Sequence, residues 1–211
     1  MDTIRKAVTF RASSIGDCLM GKYLLENIHA QFPEARCAIV VASRGGMIRD
    51  LFAAYPWLEV REVNRFNVRE LWRLWRDFRG SDIVVTQYAG KPGGRFSLRS
   101  KLFARLLARR GALAGFVDAA RWNRFIYDTL VPFDIAVAPA EHERRALSRI
   151  GLSVPLPYPR LAYRKENDEL VLRQFGLASG AYLVEHLFAG NASRDLSPEK
   201  RRELVRALHD G

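Results

Sequence analysis

Residues 7–17 read Ala-Val-Thr-Phe-Arg-Ala-Ser-Ser-Ile-Gly-Asp, and residues 37–42 read Cys-Ala-Ile-Val-Val-Ala. The first stretch starts as a β-rich run over Ala7–Ala12 and passes into a turn over Ser13–Asp17. The segment Cys18–Gln31 that follows has apolar residues near helical spacing. The second stretch is a continuous apolar run, which is typical of a buried strand in a parallel sheet. A strand, a helix and a strand in this order predict a right-handed βαβ unit.

The alternation of strands and helices continues to about residue 150. Further strands are predicted over Leu58–Val63 and Asp82–Gln87, and further helices over Met47–Ala54, Lys101–Arg110 and Glu141–Ile150. Gly151 is predicted to be the C-cap of the last of these helices. Another helix is predicted where an apolar face is formed by Leu71, Leu74, Trp75 and Phe78. The basic helix at 101–110 is predicted to turn Leu102, Phe103, Leu106 and Leu107 inward. This pattern predicts an α/β fold, in which helices flank a parallel sheet.

The positive charge of the chain is concentrated in its middle. The 211 residues are 48% apolar, enough to bury a real core, and carry a formal net charge of +11. Residues 61–124 contain 15 basic and five acidic residues, so this stretch has a net charge of +10, whereas residues 1–60 and 125–211 are close to neutral. Such a local excess predicts a surface for an anionic partner rather than a diffuse solubility bias.

Several classes of protein are disfavoured by what the sequence lacks. Two cysteines cannot build a disulfide framework, and no Cys/His spacing resembles a zinc site. The glycine patterns of dinucleotide-binding and P-loop proteins do not occur, so no cofactor and no metal are expected. The N-terminal residues lack the apolar stretch of a signal peptide, and no window approaches the roughly 20 apolar residues of a membrane span. We therefore expect a cytoplasmic protein.

The C-terminal part of the chain differs in composition from the first 151 residues, which we predict to be one domain. Three prolines at 155, 157 and 159 predict an interdomain linker, and we assign residues 152–180 to the linker and a connecting segment. A strand over Ala181–Phe188, a loop over Gly190–Leu196 and a helix capped by Ser197 follow. One strand and one helix cannot bury both faces of a parallel sheet. Residues 181–211 are therefore predicted to be the start of a truncated second domain.

Three stretches of the chain share features with one known family. They are Arg11–Asp17 continuing to Phe32-Pro33-Glu34-Ala35-Arg36, the strand Asp82–Gln87 with the basic loop and the helix Lys101–Gly111 after it, and Leu183–Arg194. Together they resemble glycosyltransferase family 9, the ADP-heptose:lipopolysaccharide heptosyltransferases. The resemblance implies a GT-B fold of two facing Rossmann-like domains, of which this chain would hold the first, acceptor-side domain and a fragment of the second, donor-binding one. It also implies a nucleotide-sugar donor, ADP-heptose, an anionic lipopolysaccharide core as acceptor, and a location on the cytoplasmic face of the inner membrane.

Asp17 is the candidate catalytic residue. It follows a predicted strand in the first turn of a helix, at the edge of a parallel sheet where ligand crevices form. Inverting sugar transfer needs one base to take the proton of the acceptor hydroxyl, and a fixed carboxylate suits that task. An ordinary carboxylate in the first turn of a helix, placed there by the helix dipole, is the alternative. The family resemblance favours the base.

Two loops are candidate binding sites for the donor phosphates. At the start of the first helix, hydroxyl and backbone N–H groups for a phosphate are offered by Ser13, Ser14 and Gly16. The alternative is that Gly16 is only a turn residue and Ser14 only a helix cap. The later loop offers Gly190, Asn191, Ser193 and Arg194, whose backbone donors and guanidinium could stabilise a diphosphate leaving group without a metal. Leu187 and Arg194 depart from the Pro and Lys usual in the family, and His186 is interpreted as structural.

The basic middle segment is the candidate surface for the acceptor or the membrane. Its predicted contact residues are Arg69, Arg73, Arg76, Gln87, Lys91, Arg95, Arg99 and Lys101. Trp72 borders the first three arginines and suits a membrane interface. Two other functions stay open: a basic nucleic-acid-binding protein, disfavoured because no RNA or DNA recognition pattern is present, and an inactive domain that only binds acceptor or membrane. The 211-residue chain is itself not expected to transfer ADP-heptose at a measurable rate.

Overall fold

The computed structural model describes residues 3–12, 14–43, 45–64, 67–88, 94–162 and 165–176, together with residues 178, 197, 199, 200, 202, 203 and 206. The chain forms two compact units, Met1–Tyr163 and Arg164–Gly211. The first unit contains the sheet and all the described site residues.

One parallel sheet of six strands forms the centre of the first unit. The strands are β1 (Lys6–Arg11), β2 (Arg36–Val41), β3 (Leu58–Glu62), β4 (Ile83–Thr86), β5 (Leu113–Phe116) and β6 (Thr129–Val131). Their order across the sheet is β3-β2-β1-β4-β5-β6, and Ala7 on β1 lies between Cys37 on β2 and Ile83 on β4. The strand order therefore reverses between β1 and β4, and ligand crevices form outside the carboxyl ends of the strands at such a point.

Within the described ranges, six helices cover the two faces of this sheet, and a further one is the longest described helix of the second unit. They are α1 (Ile15–Gln31), α2 (Gly45–Leu51), α3 (Val68–Phe78), α4 (Leu98–Leu107), α5 (Asn123–Ile126), α6 (Pro139–Arg149) and, in the second unit, α7 (Lys165–Phe175). One core cluster joins the sheet to α1, α2 and α6, and the other joins it to α3, α4 and α5. Neighbouring residues of β1 contribute to opposite clusters, Ala7 to the first and Val8 to the second, as strand alternation requires.

These observations confirm the predicted α/β class with a parallel sheet and flanking helices. The strands β5 and β6 and the short helix α5 were not predicted. Strand β5 has only four residues, Leu-Ala-Gly-Phe, and β6 has three, so neither shows a long apolar run. Gly115 on β5 is required by packing, since a Cβ there would lie 2.2 Å from the ring of Tyr127.

The predicted inward face of α4 is wrong in part. Leu102 and Leu106 are 50% and 64% exposed, whereas Lys101, Ala104 and Leu107 are buried. The helix also begins at Leu98, three residues earlier than predicted, because the Ser97 hydroxyl accepts a hydrogen bond from the Ser100 amide. The face is rotated because Lys101 points into the interior, where its ammonium donates to Asp118 and Asn123.

The proline-rich segment after α6 belongs to the first compact unit, which ends at Tyr163. The Asn27 side chain on α1 accepts from the amide of Leu156 at 2.9 Å, and the Tyr23 hydroxyl donates to the Leu156 carbonyl at 2.9 Å. We call residues 152–162 the strap. Gly151 before it has φ of +81°, which fits the predicted end of the preceding helix.

The second unit is described only in part. Its helix α7 lies where the sequence predicts a connecting segment. Near the C-terminus, the amide of Lys200 donates to the Ser197 hydroxyl at 3.3 Å, as expected of an N-cap. The strand predicted over residues 181–188 and the loop after it lie outside the described residues.

Candidate functional site

The turn from β1 into α1 carries the predicted catalytic residue. Ser14 caps the helix: its hydroxyl accepts from the amide of Asp17 at 3.1 Å and donates to Asp17 Oδ2 at 2.6 Å. This reciprocal arrangement fixes the carboxylate in the first helical turn. The helix begins at Ile15, so the turn predicted over residues 13–17 is shorter than expected, because the cap starts the helix at once.

One oxygen of this carboxylate is available for chemistry. Asp17 is half-buried, and no described residue donates a hydrogen bond to its Oδ1. The amides of Ile15 and Gly16 likewise have no acceptor among the described residues, as expected for the first turn of a helix. A Cβ at Gly16 would meet nothing within 4 Å. The edge of the sheet therefore presents a carboxylate oxygen and two N–H donors beside open space.

A buried ion pair lies beneath this turn. The guanidinium of Arg11, at the end of β1, donates to both oxygens of Glu143 on α6, at 2.9 and 2.8 Å. Both side chains are fully buried. Burial raises the pKa of Glu143, and the positive charge of Arg11 opposes that rise. Gly21 on α1 gives the arginine room, since a Cβ there would lie 2.7 Å from Arg11 Nε.

Gln87, predicted to bind the acceptor, holds the same turn from the side. It follows β4, is 7% exposed, and its Oε1 accepts a short hydrogen bond from the amide of Ala12. The turn between β1 and α1 is therefore fixed by the hydrogen bond from Ala12 to Gln87 and by the Arg11–Glu143 ion pair at the end of β1. No described residue accepts from the side-chain N–H₂ of Gln87, which leaves that group free for a ligand.

An aromatic cluster adjoins the ion pair. The ring of Tyr88 stacks on Phe133 and tilts against His142, with 5.2 Å between centroids in each case. His142 is 1% exposed and its Nε2 lies 2.9 Å from the Asp134 carbonyl, while burial lowers its pKa. Burial also raises the pKa of Tyr88, and the negative charges of Glu143 and Asp17 add to that effect. These groups therefore lie close to the candidate base.

Four of the eight residues predicted for the acceptor or membrane surface are exposed and unpaired in the described ranges. Arg69 and Arg73 on α3, Arg95 before α4 and Arg99 on α4 are exposed, and within the described ranges none of them has an ion-pair partner. We call these four residues the basic surface. Arg76 is exposed but pairs with Asp77 at 3.0 Å and lies over the Trp72 ring.

Lys101 does not belong to this surface, which corrects the prediction. It is 1% exposed, and its ammonium donates to Asp118 at 2.6 Å and to Asn123 at 2.7 Å. Burial alone would raise the pKa of Asp118. The hydrogen bonds from Lys101, from two backbone amides and from Asn123 outweigh that effect and lower it. Lys101 therefore links α4 to α5 in the interior and is not available to a phosphate.

Other predicted residues lie outside the described part of the chain. They are Ser13, Lys91, His186, Gly190, Asn191, Ser193 and Arg194. Among the described residues, no group of three or more His, Cys, Asp or Glu side chains is arranged to hold a metal ion. The helices of that part include none with the length and apolar character needed to cross a membrane. Burial raises the pKa of Cys18 to about 11 and that of Cys37 to about 12, so neither thiol is poised as a nucleophile.

Sequence reasoning did not identify Arg11, Glu143, Tyr88 or His142 as parts of the site. A signal for Glu143 exists in the sequence, because it lies three and four positions before Ala146 and Leu147 and so shares their inward face. A carboxylate on that face requires a buried cation, and Arg11 is a charged residue at the buried end of β1. The partnership itself depends on the packing of α6 against α1 at the end of β1, which no local pattern indicates.

Comparisons with known proteins agree with this architecture. A glycosyl transferase family 9 structure from Veillonella parvula DSM 2008 superposes with a TM-score of 0.71 at 12% identity, covering 99% of this chain and 61% of that one. E. coli heptosyltransferase WaaC with ADP superposes with a TM-score of 0.61 at 17% identity, covering 96% of this chain and 63% of that one. The same enzyme with ADP-2-deoxy-2-fluoro heptose superposes with a TM-score of 0.63 at 16% identity, covering 97% of this chain and 66% of that one.

The chain therefore spans 61–66% of the length of these structures. No protein-family model matches its sequence, and no curated protein matches it significantly. At 12–17% identity the likeness concerns the fold. The resemblance stated from the sequence is confirmed at that level: this chain has the Rossmann-like α/β fold of glycosyltransferase family 9 structures, over the share of their length that it spans.

Proposed function

We propose that the intact protein is an inverting glycosyltransferase of the heptosyltransferase type, and that Met1–Tyr163 is its acceptor-side domain. The observation that carries this proposal is the placement of Asp17. Its carboxylate is held by the Ser14 hydroxyl at the carboxyl edge of the sheet, next to the reversal of strand order, with Oδ1 free among the described residues.

In the proposed reaction, Oδ1 of Asp17 accepts the proton of the acceptor hydroxyl. The hydroxyl oxygen forms a bond to the anomeric carbon of the donor as the bond from that carbon to the diphosphate oxygen breaks. The nucleoside diphosphate leaves with the bonding electrons, and the anomeric configuration inverts. Ser14 keeps the carboxylate in place by hydrogen bonding to the other oxygen, so the base needs no reorganisation when the proton moves.

The leaving diphosphate requires donors of its own. For this task we propose the amides of Ile15 and Gly16 in the first turn of α1 within the first unit. From the sequence of the second unit we propose Gly190, Asn191, Ser193 and Arg194. Each set of groups could bind a phosphate without a metal. An ADP-linked sugar is the donor that the comparison structures support, because WaaC was solved with ADP and with ADP-2-deoxy-2-fluoro heptose.

The acceptor class follows from the basic surface. Arg69 and Arg73 of this surface are exposed and have no acidic partner in the described ranges, so they suit the phosphates of an anionic sugar core, which we propose to be lipopolysaccharide core on the cytoplasmic side of the inner membrane. A guanidinium binds a phosphate through two parallel hydrogen bonds, which an exposed, unpaired arginine can make without breaking an existing ion pair.

A donor panel tests this function. The intact protein is incubated with ADP-heptose, UDP-, GDP- and other ADP-sugars, and with phosphorylated or dephosphorylated core acceptor, with and without EDTA. We expect transfer from ADP-heptose, inversion at the anomeric carbon, no loss with EDTA, and weaker use of the dephosphorylated acceptor. Replacing Arg69 and Arg73 by Gln should remove the preference for the phosphorylated acceptor. Retention of configuration, or no transfer from any donor, would contradict the proposal.

A further inference from the structure

The outer side of α4 and α5 exposes a group of large apolar side chains. Leu98, Leu102 and Leu106 are 50%, 50% and 64% exposed and stand four residues apart on α4, so they form one row along the helix. Trp122 and Phe125 at α5 are 65% and 66% exposed. We call these five residues the α4–α5 face. Large apolar side chains in one exposed area mark an interaction surface rather than ordinary surface residues.

The two halves of this face are continuous. Leu98 and Trp122 line the same open cleft of about 660 Å³, together with Arg95 and Arg121. The rings of Trp122 and Phe125 lie 6.0 Å apart. The buried contact of Lys101 with Asp118 and Asn123 fixes α4 against α5 beneath the cleft, so the apolar row and the aromatic pair are held in one arrangement.

Arginines frame the same face, and their charge is not neutralised. Arg95, Arg99, Arg121 and Arg124 are exposed, and the part of the chain that the structure describes offers none of them an acidic partner. The Arg124 guanidinium lies over the Phe125 ring, 4.7 Å from its centroid. The carboxylates that contact α4 are already paired: Asp118 pairs with Lys101 and Asp128 with Arg105.

We propose that the α4–α5 face docks on an anionic phospholipid bilayer. Its leucines and aromatic rings would enter the interfacial zone, where tryptophan is favoured, while the arginines bind lipid phosphates. A second copy of this chain fits the face poorly, because two unneutralised arginine frames would oppose each other. Nucleic acid would satisfy the arginines but leave the leucine row in water.

The position of the face deepens the proposed function, on which this part of the inference rests. Helices that follow parallel strands begin at the carboxyl edge of the sheet, so the N-terminal ends of α4 and α5 lie at the same edge as Asp17. A docked domain would hold that edge near the bilayer, where an acceptor anchored in the membrane presents its sugars. Binding to lipid requires no nucleotide sugar, so it is measurable even if the proposed transfer is wrong.

Vesicle flotation tests the docking. The probes are vesicles of phosphatidylglycerol mixed with phosphatidylcholine and vesicles of phosphatidylcholine alone. We expect the chain to bind the anionic vesicles and to release them as salt rises. A Leu102→Ser/Trp122→Ser/Phe125→Ser variant should lose about tenfold or more in partitioning. An Arg95→Gln/Arg99→Gln/Arg121→Gln variant should lose about fivefold for each arginine.

Matched controls lie on the opposite side of the sheet. Met47→Ser removes an exposed apolar side chain from α2, and Arg49→Gln/Arg149→Gln removes two exposed charges from α2 and α6, so both should bind as the wild type does. Thermal unfolding of each variant checks that the fold is kept. The arginine variant changes only exposed side chains and keeps the test decisive if the apolar variant fails to fold.

Four results would overturn the proposal. The first is vesicle binding that neither variant reduces. The second is no binding to anionic vesicles at low salt. The third is tighter binding to RNA than to vesicles of equal phosphate concentration. The fourth is a dimer in sedimentation velocity that the Leu102→Ser/Trp122→Ser/Phe125→Ser variant converts to monomer, which would assign the face to a second copy of the chain.

Discussion

Arg11 and Glu143 are two full charges in the interior, directly beneath the turn that carries Asp17. Removing two charges from water has a large desolvation cost, and only their bidentate contact at 2.8–2.9 Å offsets it. Such a pair is weak evidence for stability by itself. Its consequence is positional: it joins the end of β1 to α6 and fixes the floor of the candidate site.

Breaking this pair should destabilise the protein far more than replacing it. Arg11→Met leaves a buried, uncompensated carboxylate and should lower the free energy of unfolding by about 3–5 kcal/mol, whereas Arg11→Met/Glu143→Leu should recover most of that loss. Urea titration measures both. Arg76→Gln, which removes an exposed ion pair with Asp77, serves as the control and should change stability by less than about 1 kcal/mol. Equal losses in the single and double variants would refute the interpretation.

The strap makes more contacts than its composition indicates. Three prolines predict an interdomain linker, and residues 152–162 are held by hydrogen bonds to side chains of α1 and to Tyr55, which follows α2. The Lys22 ammonium donates to the Arg160 carbonyl, and the Tyr55 hydroxyl hydrogen-bonds to Arg160 and to the Ala162 amide. Prolines restrict the strap to extended conformations, which lowers the entropy cost of docking it.

Asn27 is the central contact of the strap, and its loss should loosen that segment. Asn27→Leu leaves the Leu156 amide without its partner and should lower the free energy of unfolding by about 1–3 kcal/mol. Limited proteolysis should then cut within residues 152–162 faster than in the wild type. Gln31→Ala, which removes two exposed hydrogen bonds with Ser153, should have a smaller effect on both because water can replace them. Unchanged stability and cleavage in Asn27→Leu would show that the strap is not held by these contacts.

Elements were predictable where they are long and periodic. Strands β1 and β2 and the apolar face of α3 match the prediction, because Leu74 and Phe78 are buried opposite Arg69 and Arg73. Strands β5 and β6 are too short to show a pattern. The prediction of the inward face of α4 was wrong because apolar spacing does not predict a buried lysine. Lys101 is buried because it binds Asp118 and Asn123, which are 17 and 22 residues away in the sequence.

At the scale of the whole molecule, the order of elements was enough to predict a parallel α/β sheet. It was also enough to place Asp17 at the edge where ligands bind, because the carboxyl ends of parallel strands meet there. What the sequence could not supply were contacts between distant elements: the Arg11–Glu143 pair, the Gln87 bond to the turn and the α4–α5 face. Each depends on helix rotation or on long-range packing, which local patterns do not encode.

Asp17→Asn in the intact protein tests the proposed chemistry most directly. The asparagine carbonyl can still accept the hydrogen bond from the Ser14 hydroxyl, so the cap and the fold should survive, but the side chain cannot take a proton. We predict that kcat for transfer from ADP-heptose falls by a factor of about 10²–10⁴, while the donor KM and the thermal midpoint stay unchanged. Asp50→Asn, which replaces an exposed carboxylate on α2, is the control and should have no effect. Turnover of Asp17→Asn close to that of the wild type would contradict the assignment of the base.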